Sequence, residues 1–495
     1  MPVMEGFMIV GREDASMKAD AEFHFDWAQW WACAADANAA RLDGVEALQA
    51  RQRRRLQDLV DSALLAPHHR ARLGTRPPDG WRLDALPVFR KRDLMAHFDA
   101  CVTDPGVRLA DLQAFVADPA LIGTPFRDRY AVWHSSGSSG EPGMFVTDAH
   151  ALAVYDALES TRRPCRRPLA RAMDPLLAGE RVALVGAVDG HFAAIASFQR
   201  LRRINPWLRP RLHAVSLLQP RQALNAALDR IRPTVLFTYP SAAVVLADEL
   251  RGGRLRSRPC EIWTSGETLT PAMRRFVSDT FECPVGSEYG ASECLPLGTE
   301  CRLGALHLNA DWAILECVDA GGRRVPDGTR GARCLLTNLA NHVQPLIRYE
   351  LEDRVTIAPA RCACGCAMPV IEVVGRSDDV LRLGTGSEAG PALSPMALTT
   401  VLEDAAGLVD FQLLQVGPRH LELRCPHDAP CDLRALRRGR AVLLDYLHAQ
   451  QSGAVEVTLR SGRAPIFEPS GKFKRVRGLS AGRARPMTAG RSAPT

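Results

Sequence analysis

The chain has 495 residues with a formal net charge of +6, and 46% of its residues are hydrophobic against 24% charged. This length exceeds what one hydrophobic core supports and predicts two or three domains of an ordinary globular protein. No apolar run reaches the length of a transmembrane helix, and the N-terminal stretch carries acids where a signal peptide needs a basic and then an apolar segment, so we expect a cytoplasmic protein that spans no membrane.

The N-terminal part of the chain begins with helical periodicity. Residues 44–66 predict an amphipathic helix, with apolar side chains on one face and arginines opposite. Residues 86–94 (LPVFRKRDL) predict a short extended piece that leads into a helix. An apolar run ending at Trp133 then predicts a strand, which leads directly into the segment HSSGSSGEPG, His134 to Gly143.

Apolar runs and helical stretches alternate between residues 180 and 290. The runs at 182–188, 235–238 and 261–264 are each followed by a helical pattern, the last of which covers 271–281. Such alternation is typical of a mostly parallel sheet covered by helices, and ligands in these folds bind where strands end. We therefore predict an α/β fold, with a large N-terminal domain over residues 1–375.

Beyond residue 375 the pattern changes to short strands and one helix near residues 432–450. This pattern of short strands and one helix predicts a smaller α+β domain over residues 376–480. Residues 481–495 are small and polar and contain Pro and Gly, so we expect a disordered tail there.

The Ser/Gly-rich segment is the first candidate for chemistry. Glycines let the backbone turn sharply and bring its N–H groups close to an anion, and serine hydroxyls add donors, so the segment suits a phosphate. It is not a Walker A loop, because Gly140 is followed by Glu-Pro-Gly rather than by Lys and Ser or Thr. A Gly/Ser surface loop is the alternative interpretation of this segment alone.

Lysine is scarce in this chain. Only Lys18, Lys91, Lys472 and Lys474 are found among 62 basic residues. Because arginine fills nearly every surface role, the pair near the end indicates a need for a compact ammonium charge.

Five short motifs follow one another in a recognisable order. They are SSGSSGEP (135–142), SGE (265–267), YGASE (289–293), RYELEDRV (348–355) followed by GRSDD (375–379), and SGKFKR (470–475). Together they resemble the adenylate-forming superfamily, and within it the phenylacetate–CoA ligase and CapK-like branch. The segment LPVFRKRDL (86–94) also resembles the N-terminal signature of that branch. The resemblance covers the chain up to about residue 478 and implies that the C-terminal domain is a mobile lid.

The resemblance also implies a two-step reaction and a set of nucleotide-binding residues. A carboxylate attacks the α-phosphate of ATP to give an acyl-adenylate and pyrophosphate, and a thiol then displaces AMP. The cofactors implied are ATP and Mg²⁺, with CoA or the phosphopantetheine of a carrier protein as acceptor. The nucleotide-binding residues implied are Ser135, Ser136, Gly137, Ser138, Ser139 and Gly140 for the phosphates, Gly266, Glu267, Tyr289 and Gly290 around the adenine, and Asp353 and Arg376 at the ribose.

Two residues carry the implied catalytic roles. Glu293 would bind Mg²⁺, which prefers a carboxylate with phosphate oxygens. Lys472 would bridge the reacting carboxylate and the α-phosphate, with Lys474 as the second candidate. Asp378 falls at the hinge of the resembled family, where few residues absorb the backbone change.

The acid-binding pocket is predicted only by its neighbourhood. We expect it to be lined by His134, Tyr239, Ser265 and Ser287, and His191 follows a strand end from which it could reach the same site. The sequence departs from the superfamily pattern at Gly143, where a lysine or threonine is usual, and at Tyr349–Asp353, which lacks the usual glycine. These departures leave reduced activity or an unusual substrate open.

Cysteines cluster once in the chain. Cys362, Cys364 and Cys366 lie within five residues, and Cys301 and His307 lie upstream. A soft tetrahedral site suits Zn²⁺, and some relatives in the resembled branch carry a structural metal nearby. We favour Cys301, His307, Cys362 and Cys364 as ligands, with Cys366 as substitute; reduced cysteines in a turn are the alternative.

The leading hypothesis is an ATP-dependent acid–thiol ligase that activates an aryl or other small carboxylic acid. One alternative is a degenerate homologue that binds nucleotide without chemistry. Another is a zinc-stapled nucleic-acid module; however, the basic residues after position 471 lack the interleaved aromatic side chains that stack on bases, so we expect no nucleic-acid partner.

Overall fold

The computed structural model describes residue 23 and residues 25–135, 142–174, 178–351, 353–374, 380–384, 390–408, 411–425, 433–462, 466 and 474–479. The chain divides into two compact units, Met1–Ser377 and Asp378–Thr495. None of the described helices is both long and apolar enough to cross a bilayer.

The first unit begins with helices that pack into its main core. Their bounds are α1 Trp27–Leu42, α2 Val45–Ala63, α3 Pro67–Leu73, α4 Lys91–Ala96, α5 Phe98–Cys101 and α6 Leu109–Val116. Helix α2 confirms the amphipathic pattern, since Leu56, Leu59 and Val60 are buried on one face. An antiparallel hairpin follows, β1 Ala131–His134 with β2 Met144–Thr147, and then α7 Ala149–Arg162 and α8 Pro168–Met173.

A seven-stranded sheet forms the centre of this unit. Its order is β4-β3-β5-β6-β7-β8-β9, parallel from β4 to β7 and antiparallel from β7 to β9. Strands and helices alternate as β3 Val182–Gly186, α9 Ala193–Ile204, β4 Leu212–Ser216, α10 Arg221–Ile231, β5 Val235–Thr238, α11 Pro240–Arg251, β6 Glu261–Thr264, α12 Pro271–Phe281, β7 Val285–Ala291, β8 Cys294–Glu300 and β9 Leu306–Leu308.

The strand order places helices on both faces of this sheet. The chain passes from β3 outward to β4 and then back across β3 to β5. Because crossovers between parallel strands are right-handed, α9 lies on one face and α10, α11 and α12 lie on the other. The predicted α/β class and the strands and helix over residues 235–281 are therefore confirmed.

Smaller sheets complete the first unit. Strands β10 Ala313–Val318, β11 Arg333–Asn338 and β12 Tyr349–Leu351 form one antiparallel sheet, and β13 Arg354–Ile357 pairs with β14 Ile371–Val374. The extended piece predicted around Phe89 joins β12, because the Phe89 amide donates to the carbonyl of Arg348 and the Glu350 amide donates to that of Phe89.

The second unit has its own core. A four-stranded sheet of order β19-β18-β17-β20 carries two helices. The bounds are β15 Leu381–Arg382, β16 Ala392–Leu393, α13 Pro395–Thr400, β17 Gln412–Gly417, β18 His420–Arg424, α14 Leu433–Ala449, β19 Glu456–Arg460 and β20 Val476–Arg477. The sequence anticipated α14 but not α13, which starts with Ser394 as its cap and a proline in its first turn.

Candidate functional site

The site residues of the first unit gather at the carboxyl edge of the parallel strands. The strand order reverses between β3 and β5, so their carboxyl ends flank a crevice, which is the usual ligand position in open α/β sheets. Tyr239 follows β5, and Ser265 and Gly266 follow β6. The amide of Ala187, just after β3, donates to the Tyr239 hydroxyl at 3.4 Å across this crevice.

Glycine is required at position 266 because the Tyr239 ring lies against the backbone there. A Cβ atom on Gly266 would lie 3.1 Å from the ring, and the residue has φ +80°. A Cβ atom on Gly186 would lie 3.4 Å from the Tyr239 hydroxyl. Side chains at Gly266 would therefore meet both steric and backbone strain, and the ring remains half-buried at the mouth of the crevice.

Glu267 has a local positioning role. Its two carboxylate oxygens accept from the backbone amide and from the hydroxyl of Ser241, each at 2.9 Å. These bonds satisfy donors in the first turn of α11, where a negative charge is also favourable for the helix dipole. Glu267 therefore holds the start of α11 in register with the loop that follows β6.

The turn between β7 and β8 carries the YGASE motif. The buried Tyr289 hydroxyl donates to the carboxylate of Asp353 at 3.1 Å. Burial, followed by the negative charge of Asp353, raises the pKa of Tyr289 well above its usual value. Gly290 admits no side chain, since a Cβ atom there would lie 2.2 Å from the carbonyl oxygen of Leu295.

The β1–β2 hairpin is tied to this turn. The Trp133 indole donates to the carbonyl of Ser292 at 2.8 Å. At the mouth of the loop, the Ser135 amide donates to the Gly143 carbonyl, and the Gly143 amide donates to the Ser135 hydroxyl oxygen, both at 2.8 Å. Residues Ser136, Gly137, Ser138, Ser139 and Gly140 lie outside the described part of the chain.

The departure at Gly143 has a steric reason. A Cβ atom there would lie 2.9 Å from the Phe145 ring and 3.2 Å from the Ser135 hydroxyl. A lysine or threonine would therefore displace the ring or break the clamp that closes the loop.

Glu350 of the RYELEDRV motif has a packing role, whereas Glu352, which stands where the usual glycine is lost, lies outside the described residues. Glu350 on β12 forms ion pairs with Arg90 at 3.1 Å and with Arg333 at 3.4 Å. The glutamate thus fastens the LPVFRKRDL piece to the strand that precedes Asp353. Asp353 itself lies in the turn between β12 and β13 and retains its carboxylate beside Tyr289.

The other predicted pocket residues have different surroundings. His134 ends β1, and its ring lies 4.8 Å from that of Phe192. Ser287 pairs with Thr264, so strand alternation turns its side chain to the face opposite Phe237 and Trp263. The side chain of His191 is buried, and its Nε2 bonds the carbonyl of Asp118 at 2.9 Å, so this histidine is part of the core.

Three predicted residues lie outside the described part of the chain: the implied catalytic lysine Lys472, the hinge residue Asp378 and Arg376. Lys474 is described, and its carbonyl accepts from the side chain of Gln412. The buried Arg475 beside it pairs with Glu403 and lies 4.4 Å from the Phe411 ring centre. The chain is therefore fixed to the core of the second unit within three residues of Lys472.

Three thiols and one imidazole converge between two hairpins. The sulfurs of Cys301 and Cys362 are 3.9 Å apart, the Cys364 sulfur is 3.4 Å from Nε2 of His307, and the ligand atoms of all four residues lie within 4.8 Å of one another. A tetrahedral zinc with Zn–S bonds of about 2.3 Å has edges of about 3.8 Å, so the donor set fits the metal. His307 uses Nδ1 to donate to the Met368 carbonyl at 2.9 Å, which leaves Nε2 for a ligand bond.

Sequence reasoning overlooked an ionic group that joins the end of α7 to β7. Arg163 donates two hydrogen bonds to the carboxylate of Glu288, and its Nη2 lies 3.9 Å from Glu159. The position of Glu288 directly before Tyr289 was the available signal. Arg163 could not be found from sequence, since it lies 125 positions away from Glu288.

Comparison with known proteins supports the fold. No protein-family model matches the chain. The protein CapK of Staphylococcus aureus is 28% identical over 132 residues, a stretch that covers 26% of this chain and only 28% of the CapK sequence. The structure of 2-hydroxyisobutyryl-CoA ligase with 2-HIB-AMP and CoA, in the thioesterification state, has a TM-score of 0.55 at 20% identity and covers 89% of this chain and 91% of the ligase.

A second structure of the same ligase agrees. Its postadenylation state, in complex with R3-HIB-AMP, has a TM-score of 0.51 at 20% identity and covers 88% of this chain and 90% of the ligase. The resemblance inferred from the motifs is thus confirmed at the level of the fold. The chain has the fold of the adenylate-forming acid–CoA ligases.

Proposed function

We propose that the protein activates a small carboxylic acid as an acyl-adenylate at the expense of ATP and transfers the acyl group to a thiol. The first step forms a bond between a carboxylate oxygen and the α-phosphorus and breaks the bond to the departing pyrophosphate. In the second step the thiolate attacks the acyl carbon and AMP leaves. Aryl acids are the first class to screen, and CoA and carrier-protein phosphopantetheine are the candidate acceptors.

The observation that carries this proposal is the convergence of the motifs at one sheet edge. The bond from Trp133 to Ser292 joins segments 159 positions apart, and the bond from Tyr289 to Asp353 joins segments 64 positions apart. Tyr239 and Gly266 border the same edge. A surface loop rich in Ser and Gly has no reason to follow a strand that is bonded to a turn carrying a further acidic motif residue, Glu293.

Each described group has a proposed task. Asp353, held by Tyr289, accepts from the ribose hydroxyls, and the ring of Tyr289 borders the adenine. Glu293 is the carboxylate that would hold Mg²⁺, which neutralises phosphate charge when bound. Ser135 closes the loop whose amides and hydroxyls would bind the phosphates. Lys472 is the cation proposed for the charge that develops at the α-phosphate.

The sulfur cluster is proposed to hold a structural Zn²⁺. It fastens the β8–β9 hairpin, which carries His307, to the β13–β14 hairpin, which carries Cys362 and Cys364 in its loop. Strand β13 begins directly after Asp353, so the metal would stabilise the segment that presents the ribose-binding carboxylate.

ATP–pyrophosphate exchange with a panel of carboxylic acids tests the proposal. We expect exchange with at least one acid, and a thioester detectable by mass spectrometry when CoA is added. Asp353→Asn should lower exchange at limiting ATP, whereas Asp104→Asn, whose carboxylate accepts from Tyr130 rather than from a motif residue, should not. A complete lack of exchange, of AMP release and of ATP binding would contradict the proposal.

A further inference from the structure

The ring of Tyr239 lies across the carboxyl end of β5. Its hydroxyl accepts from the amide of Ala187, directly after β3, at 3.4 Å. Its Cδ1 atom lies 3.1 Å from the place that a Cβ atom on Gly266, after β6, would occupy. Strand β5 lies between β3 and β6, and neighbouring strands are about 4.8 Å apart, so the ends of β3 and β6 are about 9.6 Å apart. The ring therefore spans the distance from one neighbour of β5 to the other.

The two positions that border the ring are both glycines. A Cβ atom on Gly186 would be in ordinary contact with the Tyr239 hydroxyl at 3.4 Å, and one on Gly266 would already be too close to the ring. The space between the ring and these glycines therefore holds at most one methyl group. A larger ligand at these strand ends has to lie on the other side of the ring.

The backbone on both sides of Tyr239 is held in place. The Thr238 hydroxyl donates to the carbonyl of Val185 on β3 at 2.9 Å. After the tyrosine, the amide and the hydroxyl of Ser241 donate to the two carboxylate oxygens of Glu267. A ligand cannot displace the ring by moving its backbone, because these bonds to the neighbouring strand and loop would have to break.

The end of the β1–β2 hairpin is attached on both sides of the same strand ends. The Trp133 indole donates to the carbonyl of Ser292, in the turn after β7. The His134 amide donates to the carbonyl of His191, in the segment after β3, at 2.9 Å. Because β5 and β6 lie between β3 and β7, their carboxyl ends lie between these two attachments. The Ser/Gly-rich segment continues directly from this point at Ser135.

These attachments and the tyrosine ring confine the acid to be activated. Its carboxylate has to reach the α-phosphate of a nucleotide bound by the Ser/Gly-rich segment, so its hydrocarbon part extends over the ends of β5 and β6. Tyr239 already fills the place that an aryl ring would need there. The ring of Phe192, 4.8 Å from that of His134, borders the side next to β3. The arrangement favours an acid with a short hydrocarbon chain.

We propose that Tyr239 restricts the acid to short aliphatic chains, because its ring occupies the end of β5 where the ring of an aryl acid would otherwise lie. The inference rests on the proposed function, since it concerns the acid that is adenylated at the same strand ends. Tyr239 contacts only the hydrocarbon part of the acid. It is a specificity-determining residue and takes no part in the chemical steps.

A comparison of short aliphatic with aryl acids tests the inference in the native chain. Propionate and butyrate are compared with benzoate and phenylacetate in ATP–pyrophosphate exchange, with hexanoate as a longer aliphatic acid. One methylene group in an apolar pocket changes kcat/KM by about 10- to 200-fold. We therefore expect the best short acid to have a kcat/KM more than tenfold above that of the best aryl acid. Equal values, or exchange confined to aryl acids or hexanoate, would overturn the inference.

Removal of the ring should admit the excluded acids. In Tyr239→Ala the kcat/KM for benzoate should rise at least tenfold, while KM for propionate rises because its contact with the ring is lost. A gain of activity cannot result from misfolding. Tyr239→Leu is the second variant if the alanine variant fails to fold, and it should shift the preference in the same direction. Tyr239→Phe keeps the ring and should keep the ratio between the two classes of acid, which separates the volume of the side chain from its hydroxyl.

Phe276→Ala is the matched control. It removes an aromatic ring from α12, where the ring lies 5.4 Å from the guanidinium of Arg251. This variant should leave the ratio between short and aryl acids unchanged. The same gain of benzoate activity in Phe276→Ala and Tyr239→Ala would indicate a general loosening of the sheet and would overturn the role given to Tyr239. A Tyr239→Ala variant with a native thermal midpoint and an unchanged ratio would also overturn it.

The outcomes separate this inference from the proposed function. Exchange with short and aryl acids alike overturns the inference and leaves the ligase activity standing. No exchange with any acid overturns the proposed function, and calorimetry with the propionyl and benzoyl sulfamoyl-adenosines, which resemble the acyl-adenylates, then decides the inference. Tighter binding of the propionyl compound, reversed in Tyr239→Ala, supports it. Equal affinity of the native chain for the two compounds, or binding of neither, overturns it.

Discussion

Removal of the Tyr289 hydroxyl tests whether Asp353 is held for nucleotide binding. Tyr289 is 8% exposed, and its hydroxyl lies 3.1 Å from the Asp353 carboxylate. A hydrogen bond to a charged group contributes about 1.5–3 kcal/mol. If the bond orients Asp353 toward the ribose, Tyr289→Phe should raise KM for ATP by about tenfold or more, because about 1.4 kcal/mol corresponds to a factor of ten.

Tyr130→Phe is the control for this perturbation. Tyr130 is 2% exposed and donates to Asp104 at 2.6 Å, and this bond lowers the pKa of Asp104. Each variant loses one hydrogen bond from a tyrosine hydroxyl to an aspartate. Its thermal midpoint should fall by at most about 2–4 °C for each kcal/mol lost from the free energy of unfolding. Only Tyr289→Phe should change KM for ATP.

The assay is ATP–pyrophosphate exchange at saturating acid, with ATP varied, together with thermal unfolding of both variants. An unchanged KM for ATP in Tyr289→Phe, accompanied by a loss of stability like that of Tyr130→Phe, would refute the reasoning. The Tyr289–Asp353 bond would then belong to the packing of the turn alone.

Three further outcomes are expected. Lys472→Ala should lower acyl-AMP formation at least a hundredfold while Lys474→Ala retains it, and equal effects would remove the distinction drawn between the two lysines. Elemental analysis should find one zinc per chain, lost in Cys364→Ser with a lower thermal midpoint but retained in Cys366→Ser; a metal-free native chain contradicts the site. Burial lowers the pKa of His69 to about 4, so its contribution to stability is complete above its unfolded pKa of about 6.5 and declines as pH falls toward 4. The midpoint of thermal unfolding should therefore fall more steeply between pH 7.5 and pH 5 for the native chain than for His69→Phe. Parallel curves for the two proteins would exclude this histidine as the cause of the pH dependence.

Local signals accounted for the elements that border the site. The pattern over residues 271–281 predicted α12 with its observed bounds, because Thr270 supplies a side-chain cap and Pro271 occupies the first turn. The runs that became β5 and β6 were predicted with their observed bounds for a similar reason, since they are short, apolar and bounded by turn residues. Helix α13 was missed because residues 395–400 are too few to establish a helical period.

The sequence did not predict the contacts between distant segments. Nothing in the sequence indicated that Glu350 forms ion pairs with Arg90 and Arg333. Gly143 read as a lost functional group, whereas the Phe145 ring fills the place where its side chain would be. His191 follows a strand end as expected, yet the adjoining segments cover it completely.

The alternation of strands and helices over residues 235–281, the motif residues at strand ends and the four residues of the sulfur cluster follow from the sequence alone, because capping, periodicity and ligand type are local properties. The tertiary structure decided that the side chain of Ser287 lies on the face opposite Phe237 and Trp263, and that Arg163 reaches across to Glu288. Strand register moves a side chain to the other face with a shift of a single residue, and it is set by the packing of the whole sheet.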